Sequence, residues 1–478
     1  MIDADRMAAI DRNAEALGIS RQQLMESSGN AVARRVKSAV DTGSTVQVVA
    51  GRGNNGGDGF AAARFLQSYD CRVTLAGHPE RIRTSIARAN WEALQQTSIP
   101  TDTVSDSQHV AIESPDMIID AMLGSGVRGP LREPVREFVR TINQVETPVL
   151  SVDVPTGMDP GTGEITDIAV NPSEIITFHK QKSGLEAVTA PVTVADIGIP
   201  AAAEEFVGPG DLLRLGRSPR SHKGDSGKIL IIGGGPYAGA PALSAQAALR
   251  AGADLVSVAC PSSVADTVQA YSENLIIRPL KGKRLSPENE TTLQNLASEQ
   301  DIVLIGPGLG NHAETMNAVE SFLNSFNGTA VVDADALDVV GSISTSTTHI
   351  YTPHQGEFAR MGGDPQSEWR ERKSAVKGLA TELDQTILVK GMYDIIANDE
   401  MVRVNRTGNS GMTVGGTGDV LAGITAAFAC VLDPLSAASV AAYVNGRAGD
   451  RVAESRGVGI HATDIIDEIS KIRQEAAD

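Results

Sequence analysis

Residues 51–59, GRGNNGGDG, lie between the apolar run VQVVA (46–50) and the helix-forming run FAAARFLQ (60–67). Strand, glycine-rich turn and apolar helix in that order make one α/β unit. The first half of the turn spells G-x-G-x-x-G, the pattern that seats a dinucleotide pyrophosphate at a helix start. An intact dinucleotide site also needs an acidic residue at the end of the next strand, to hold a ribose hydroxyl. That strand, CRVTLAG, ends here in His78 and Pro79, with Glu80 only after the proline. The loop carries Asn54, Asn55 and Asp58 instead, whose oxygens suit a hard cation better than a phosphate. The turn therefore reads either as a helix start capped by Asn and Asp, or as a loop for a cation and a polar ligand.

The same alternation continues outward from this turn. LMESSGNAVARRV has apolar residues at helical spacing (Leu24, Met25, Ala31, Val32, Val36), whereas VQVVA, CRVTLAG, MIIDAMLG and TPVLSVDVP read as strands. Such alternation predicts the α/β class, with a parallel sheet covered by helices. After PVTVADIGIP, the Gly-, Pro- and Arg-rich stretch 209–223 precedes a fresh strand–turn–helix start at KILIIGGGPYAGAPALSAQAALRAGADLVSVACP. The boundary is placed there, giving domains 1–214 and 215–478, each long enough to bury its own core. In the second domain DIVLIGPGLG, TAVVDADALD, HIYTPHQGEF and TILVKGMYDIIA each set an apolar strand before a loop holding Gly, His, Asp or Lys. Open α/β sheets bind their ligands at such loops.

Composition narrows the partners. With 59 acidic residues against 41 basic ones the net charge is −18, which repels nucleic acid and anionic membrane surfaces. Cys71, Cys260 and Cys430 are far apart and show no C-x-x-C spacing, so neither a zinc site nor a disulfide framework is indicated. The N-terminus lacks the apolar core of a signal peptide, and no run is long and apolar enough to span a bilayer. A cytoplasmic homo-oligomer acting on small molecules is expected.

Two further strand ends in the first domain carry acids. Asp120 ends the strand in MIIDAMLGSGVRGP (117–130), and Asp153 lies in SVDVPTGMDP (151–160). Either alone reads as a turn cap; three acid- or amide-bearing strand ends in order point to a site. Taken together, GRGNNGGDG, IIDAMLGSG, SVDVPTGMD and ITFHKQKSGL resemble the N-terminal domain of the NAD(P)H-hydrate epimerases, a Rossmann-like three-layer fold, over roughly residues 1–210. The resemblance implies substrate contacts from Asn54, Asn55, Gly56, Gly57 and Asp58, from Gly124, Ser125, Gly126, Val127, Arg128, Gly129 and Pro130, and from Asp153. It implies a potassium ion on Asn55, Asp120 and Thr156, with Asp153 as the acid–base candidate. LMESSGN departs from the family's usual helix sequence without touching a ligand position.

The second domain has its own signature, NRTGNSGMTVGGTGDVLAGI (405–424). G-G-T-G-D at the start of an apolar helix turns backbone N–H groups and a positive helix end toward one point, a cradle for a phosphoryl group, with Asp419 placed as a base. This resembles the ribokinase-like fold. With GGGPYAGAPALSAQAALRAGADLVSV, GPGLG, TPHQGEF and LVKG, it resembles the ADP- or ATP-dependent NAD(P)H-hydrate dehydratases over most of residues 220–470. Implied by that resemblance are a hydrate site at Ala240, Gly308 to Gly310, His354 and Asp419, and a nucleotide site at Lys390, Gly391, Met392, Tyr393, Asp394 and Gly418. Gln355 stands where the family often has proline, and Met392 and Tyr393 replace small residues. Asp333 and Asp335 read equally as metal or nucleotide positioners and as helix caps.

The chemistry implied is phosphoryl transfer from ADP with Mg2+ to the hydroxyl of hydrated NADH or NADPH (NADHX, NADPHX), then loss of phosphate, with AMP as the other product. Asp419 takes the hydroxyl proton while the Gly415–Gly418 amides hold the transferring group. A ribokinase-type kinase releasing a stable phosphate ester, and a non-catalytic N-terminal scaffold, are the competing readings.

Overall fold

A computed structural model describes residues 1–126, 129–216, 220–344 and 347–475. The chain divides into two compact units, Met1–Ala203 and Glu204–Asp478. This division lies upstream of the boundary expected between residues 214 and 215, because residues 206–211 are built into the second unit. Val207 N–H donates to the Val404 carbonyl at 2.9 Å, and Arg403 donates to both oxygens of Asp211 at 3.0 Å. The Pro- and Gly-rich composition that reads as a linker reflects a tight helical turn, Pro209–Leu215, with Asp211 accepting from Gly208 N–H at 2.9 Å.

The first unit holds seven parallel strands: β1 (Thr45–Ala50), β2 (Asp70–Ala76), β3 (Thr101–Val104), β4 (Met117–Ala121), β5 (Val149–Val152), β6 (Glu174–Phe178) and β7 (Val192–Ala195). Their order is β3-β2-β1-β4-β5-β6-β7. Side-chain alternation makes the sheet two-sided. Val48 packs with Ile10, Phe60 and Leu94 on one face, whereas its neighbour Val49 packs with Phe138 and Ile142 on the other. Such double burial is why these strands read as continuous apolar runs. Strand order reverses between β1 and β4, so the loops after those two strands open onto a crevice. They meet closely: Gly51 N–H donates to the Ala121 carbonyl at 3.0 Å, and a Cβ on Gly51 would lie 1.8 Å from the Met122 oxygen.

The second unit holds nine strands: β8 (Lys228–Ile232), β9 (Leu255–Pro261), β10 (Ile276–Leu280), β11 (Ile302–Ile305), β12 (Thr329–Val332), β13 (His349–Tyr351), β14 (Thr386–Val389), β15 (Asp394–Ala397) and β16 (Val402–Asn405). The order is β10-β9-β8-β11-β12-β13-β14-β15-β16, parallel as far as β14 and antiparallel beyond it. TILVKGMYDIIA, which reads as one strand before a loop, is thus a hairpin turning at Lys390–Tyr393. Ile229 and Ile231 face a core shared with helices Gly239–Ala251 and Thr417–Ala429, while Leu230 and Ile232 face Phe322. The switch in strand order falls between β8 and β11. No helix among the described residues is long and apolar enough to cross a membrane.

Candidate active sites

In the first unit the crevice at the β1/β4 switch opens into a cavity of about 680 Å³, lined by Asn54, Asn55, Asp58, Gly124, Ser125 and Asp153 among others. Asp153 leaves β5 with φ at +67°, a conformation uncommon for a residue with a side chain and one that tends to occur where function demands it. Its carboxylate is held on both sides. Oδ1 lies 2.7 Å from Lys182 Nζ and accepts from Thr177 Oγ1 at 3.2 Å, and Oδ2 accepts from Ser125 N–H at 3.1 Å. Burial pushes the Asp153 pKa up, but the Lys182 charge and these hydrogen bonds outweigh it and hold it below the usual carboxylate range. Lys182 is itself only 2% exposed and donates a second bond to the Phe178 carbonyl at 3.0 Å. Asp58 has the opposite fate: burial, with the charges of Asp153 and Asp11 nearby, raises its pKa well above the ordinary value.

Beneath the cavity Asp120 is fully buried and accepts four hydrogen bonds, from Thr156 Oγ1 (2.7 Å), Thr156 N–H (2.9 Å), Ser151 Oγ (2.9 Å) and Met122 N–H (3.3 Å). Burial nonetheless raises its pKa. Asn55 is buried with neither its oxygen nor its nitrogen paired. A buried unpaired amide costs about 1–3 kcal/mol, so its persistence suits a side chain reserved for a ligand.

The second unit gathers residues from several strand ends. Gly308 (φ +71°) packs beside Ala240, whose Cβ would lie 3.2 Å from a Cβ at Gly308, so the loops after β8 and β11 meet. Gly310 N–H donates to Asp335 at 2.8 Å. Lys390 N–H donates to the Pro353 carbonyl at 2.8 Å, placing Lys390 beside His354. Lys390 Nζ pairs with Asp333 Oδ1 at 2.8 Å and lies 3.9 Å from Glu357 Oε2. Burial lowers the Lys390 pKa, yet Asp333 and Glu357 more than compensate and hold it above the ordinary value. Gly416, at φ +98°, starts the helix Thr417–Ala429, and a Cβ on Gly418 would lie 3.3 Å from Lys390 Nζ. Asp419, in the first turn of that helix, is pushed up to about 7 by burial and by Asp333, with Lys390 opposing. A carboxylate poised there can take a proton at neutral pH.

Comparison with known proteins accounts for both units. Residues 229–471 match the NAD(P)H-hydrate dehydratase family model, and residues 21–184 match that of the YjeF-related protein N-terminus. The bifunctional NAD(P)H-hydrate repair enzyme of Methanothermobacter thermautotrophicus is 43% identical, over 98% of this chain and 94% of its own. The chain belongs to the bifunctional NAD(P)H-hydrate repair enzyme family. A ribokinase-like superfamily protein of Enterococcus faecalis superposes with a TM-score of 0.51 at 25% identity, covering 57% of this chain and 96% of its own. The ADP/ATP-dependent NAD(P)H-hydrate dehydratase of Bacillus subtilis, co-crystallised with ATP and Mg2+, gives 0.50 at 24% identity, covering 57% and 98%, a likeness of fold.

Within this repair-enzyme frame the expected residues separate by position. Asn54, Asn55, Asp58, Gly124, Ser125, Gly126 and Asp153 line the first cavity. Gly56 and Gly57 face protein: a Cβ on Gly56 would lie 1.9 Å from the Gly51 oxygen, and one on Gly57 2.6 Å from Met25 Sδ. Gly129 lies in a separate small pocket, Pro130 is exposed, and Val127 and Arg128 lie outside the described residues. His354 caps the helix Gln355–Arg360, its Nδ1 accepting from Gly356 and Glu357 N–H at 2.9 and 3.2 Å, while its ring stays largely exposed. Met392 is 84% exposed, and Tyr393 stacks on Trp369 with ring centroids 5.0 Å apart. Asp394 accepts from Gly391 N–H and Asn405 Nδ2, both at 2.9 Å, and burial raises its pKa to about 6. Residue-by-residue reading misses Lys182 and Asp11. Lys182 sits inside ITFHKQKSGL, and the one available signal is a lysine two residues before glycine in a loop otherwise poor in reasons for charge.

Proposed function

We propose that the first unit interconverts the R and S epimers of NADHX and NADPHX, and that the second dehydrates the S epimer with ADP as phosphoryl donor. The observation that carries this reading is a full-length match to the bifunctional family coinciding with ligand-ready strand ends in both sheets. In the second unit the hydrate lies against Ala240, Gly308, Gly310 and His354, and the nucleotide against Lys390–Asp394 and Gly418. Asp419 takes the proton of the substrate hydroxyl as its oxygen attacks the terminal phosphorus of ADP. The Gly415–Gly418 amides and the N-terminal end of their helix stabilise the negative charge on the transferring group. AMP leaves with the electrons of the broken P–O bond, phosphate then departs from the ring carbon, and loss of a proton from the adjacent ring carbon to water restores the double bond of the dihydronicotinamide.

Among the described residues no cluster of three or more His, Cys, Asp or Glu side chains could hold a metal alone, which fits a magnesium ion carried chiefly by nucleotide phosphates. Bound there it neutralises phosphate charge. In the first unit, Asn55, Asp120 and Thr156 supply an amide, a carboxylate and a hydroxyl oxygen, a donor set suited to potassium, and the unpaired buried Asn55 amide supports this. The test supplies a mixture of epimers with ADP and follows dihydronicotinamide absorbance. Complete recovery is expected. A stable phosphorylated product without recovery would favour a kinase, and recovery that stops when the S epimer is exhausted would remove the epimerase reading.

A further inference from the structure

The cavity of the first unit is closed on one side by the N-terminal helix Ala4–Ala16, all of which precedes the family-model match that begins at residue 21. The chain start is pinned beside the catalytic strand ends: Ile2 N–H donates to the Gln181 carbonyl at 3.0 Å, and Ser183 N–H donates to the Ile2 carbonyl at 3.2 Å. Ile2 thereby pairs alongside Lys182. Ala4, Ala8 and Asp11, spaced one helical turn apart, all line the cavity. Asp11 is the acid on that face that belongs to the charged cluster, and its carboxyl makes no hydrogen bond or close ion pair among the described residues.

An epimerisable hydrate must carry its hydroxyl on a carbon bonded to the ring nitrogen, because there the nitrogen lone pair can help expel it. Inverting that centre requires an acid for the departing oxygen and a base for the arriving one. Asp153 fits the base. It is ionised, and both its oxygens are anchored. Asp58, whose pKa burial raises well above the ordinary value, is suited in its protonated form to donating a hydrogen bond. Asp11 is unanchored and comes from a different wall.

Resting on the epimerase reading, we propose that Asp11 is a second catalytic residue of the first site, exchanging a proton with the substrate hydroxyl while Asp153 serves the incoming water. Asp11 gives its proton to the hydroxyl oxygen, the C–O bond breaks with its electrons going to the departing water, and the nitrogen lone pair forms a C=N bond. Water then adds to the other face, forming the new C–O bond. The C=N electrons return to nitrogen, and the spare proton goes to Asp153. The reverse epimerisation uses the two acids in exchanged roles, and repeated turnover in one direction resets them through water in the cavity. Facing Asp11 are Asp58 on helix Asn54–Arg64, Asp153 and Lys182 from the strand ends, and Arg21 on helix Arg21–Ala39. Burial outweighs the attraction of Lys182 and Arg21 and brings Asp11 to about 6, where it can both give and take a proton.

The experiment uses full-length Asp11→Asn and separates the R and S hydrates chromatographically, with ADP left out so that the second site is silent. The expected loss is about 10²–10⁴-fold in kcat for epimerisation with KM within about threefold of wild type, the usual scale for losing a proton donor. Dehydration of the S epimer by the same variant with ADP stays at the wild-type rate, and Asp11→Glu, which keeps the acid, recovers to within about tenfold of wild type. Epimerisation by Asp11→Asn within about threefold of wild type overturns the inference and leaves the epimerase reading standing. Equal losses in Asn and Glu variants, together with a lowered unfolding midpoint, also overturn it by making Asp11 structural. A wild-type protein that does not interconvert the epimers overturns both.

Discussion

Replacing Lys182 with methionine tests the electrostatic account of the first site. Lys182 is 2% exposed, and its ammonium neutralises Asp153 at 2.7 Å while donating to Phe178 at 3.0 Å. Methionine matches the length of the stem but leaves Asp153 charged, buried and facing Asp58 and Asp11. Breaking a buried pair by removing one partner costs about 3–5 kcal/mol, whereas replacing both charges with neutral groups of similar volume is close to neutral. Lys182→Met should therefore destabilise the first unit by about 3–5 kcal/mol, and Lys182→Met with Asp153→Asn should recover most of that. The pH dependence reverses as well. In the wild type the depressed Asp153 pKa gives stability that is present above the unfolded value of 3.8 and is lost as pH falls through the folded value. Without Lys182 the folded pKa of Asp153 moves above 3.8, the native state binds more protons than the unfolded one, and stability falls as pH rises through that window. Trp91 reports this unit alone once Trp369 is replaced by Phe, because the chain has two tryptophans and Trp91, 3% exposed, packs on Phe60. Urea unfolding followed by Trp91 fluorescence measures the effect. A cost below about 1 kcal/mol for Lys182→Met, or a double variant as unstable as the sum of the singles, would refute the reasoning.

Two predictions concern the second site. kcat/KM for dehydration should rise roughly tenfold per pH unit below about 7 and level above it as Asp419 ionises, and Asp419→Asn should lose about 10²–10⁴-fold and this pH limb with it, while epimerisation by the same chain is unchanged. Gly416→Ala places a Cβ at φ +98° and 2.7 Å from Leu243 Cδ1, so it should cost about 1–3 kcal/mol and weaken nucleotide binding measured by calorimetry.

What the sequence makes legible follows from how local each signal is. The turn 51–59 announces a strand–turn–helix because its apolar flanks and glycines are contiguous, and Gly415–Asp419 announces a glycine-led helix start for the same reason. Asp120 and Asp153 stand out as acids at the ends of apolar strands. Lys182 and Asp11 carry no such mark. Their environment exists only once β6 lies beside β5 and Ile2 pairs with the 181–183 backbone. Glycines are ambiguous in the other direction. Gly56 and Gly57 read as ligand contacts, and the Gly51 backbone and Met25 also leave no room for a side chain there, so close packing and ligand approach leave the same letter. The domain boundary fails similarly, since the Pro and Gly of a tight turn are compositionally indistinguishable from a linker until Asp211 meets Arg403.

Both sites share an imbalance of charge that links their geometry to their chemistry. In the first, Lys182 is bonded to Asp153, and Asp11 and Asp58 have no such partner. In the second, Lys390 is bonded to Asp333, and Asp419 is left with Asp335 and Glu357 nearby. Lys182 holds Asp153 ionised and fixed, Lys390 fixes Asp333, and burial, aided by the surplus of negative charge, raises the pKa of the acids that remain. A surplus of this kind is relieved either by a proton, which makes the unpaired acid usable in proton transfer near neutral pH, or by a cation carried in with substrate or bound beside it. The paired aspartates thus set the field, and in the proposed reactions Asp11 and Asp419 are the acids whose raised pKa suits proton exchange near neutral pH, with Asp153 as the base opposite Asp11. Removing either lysine should therefore damage its site by stabilising the wrong protonation state, even where the fold survives.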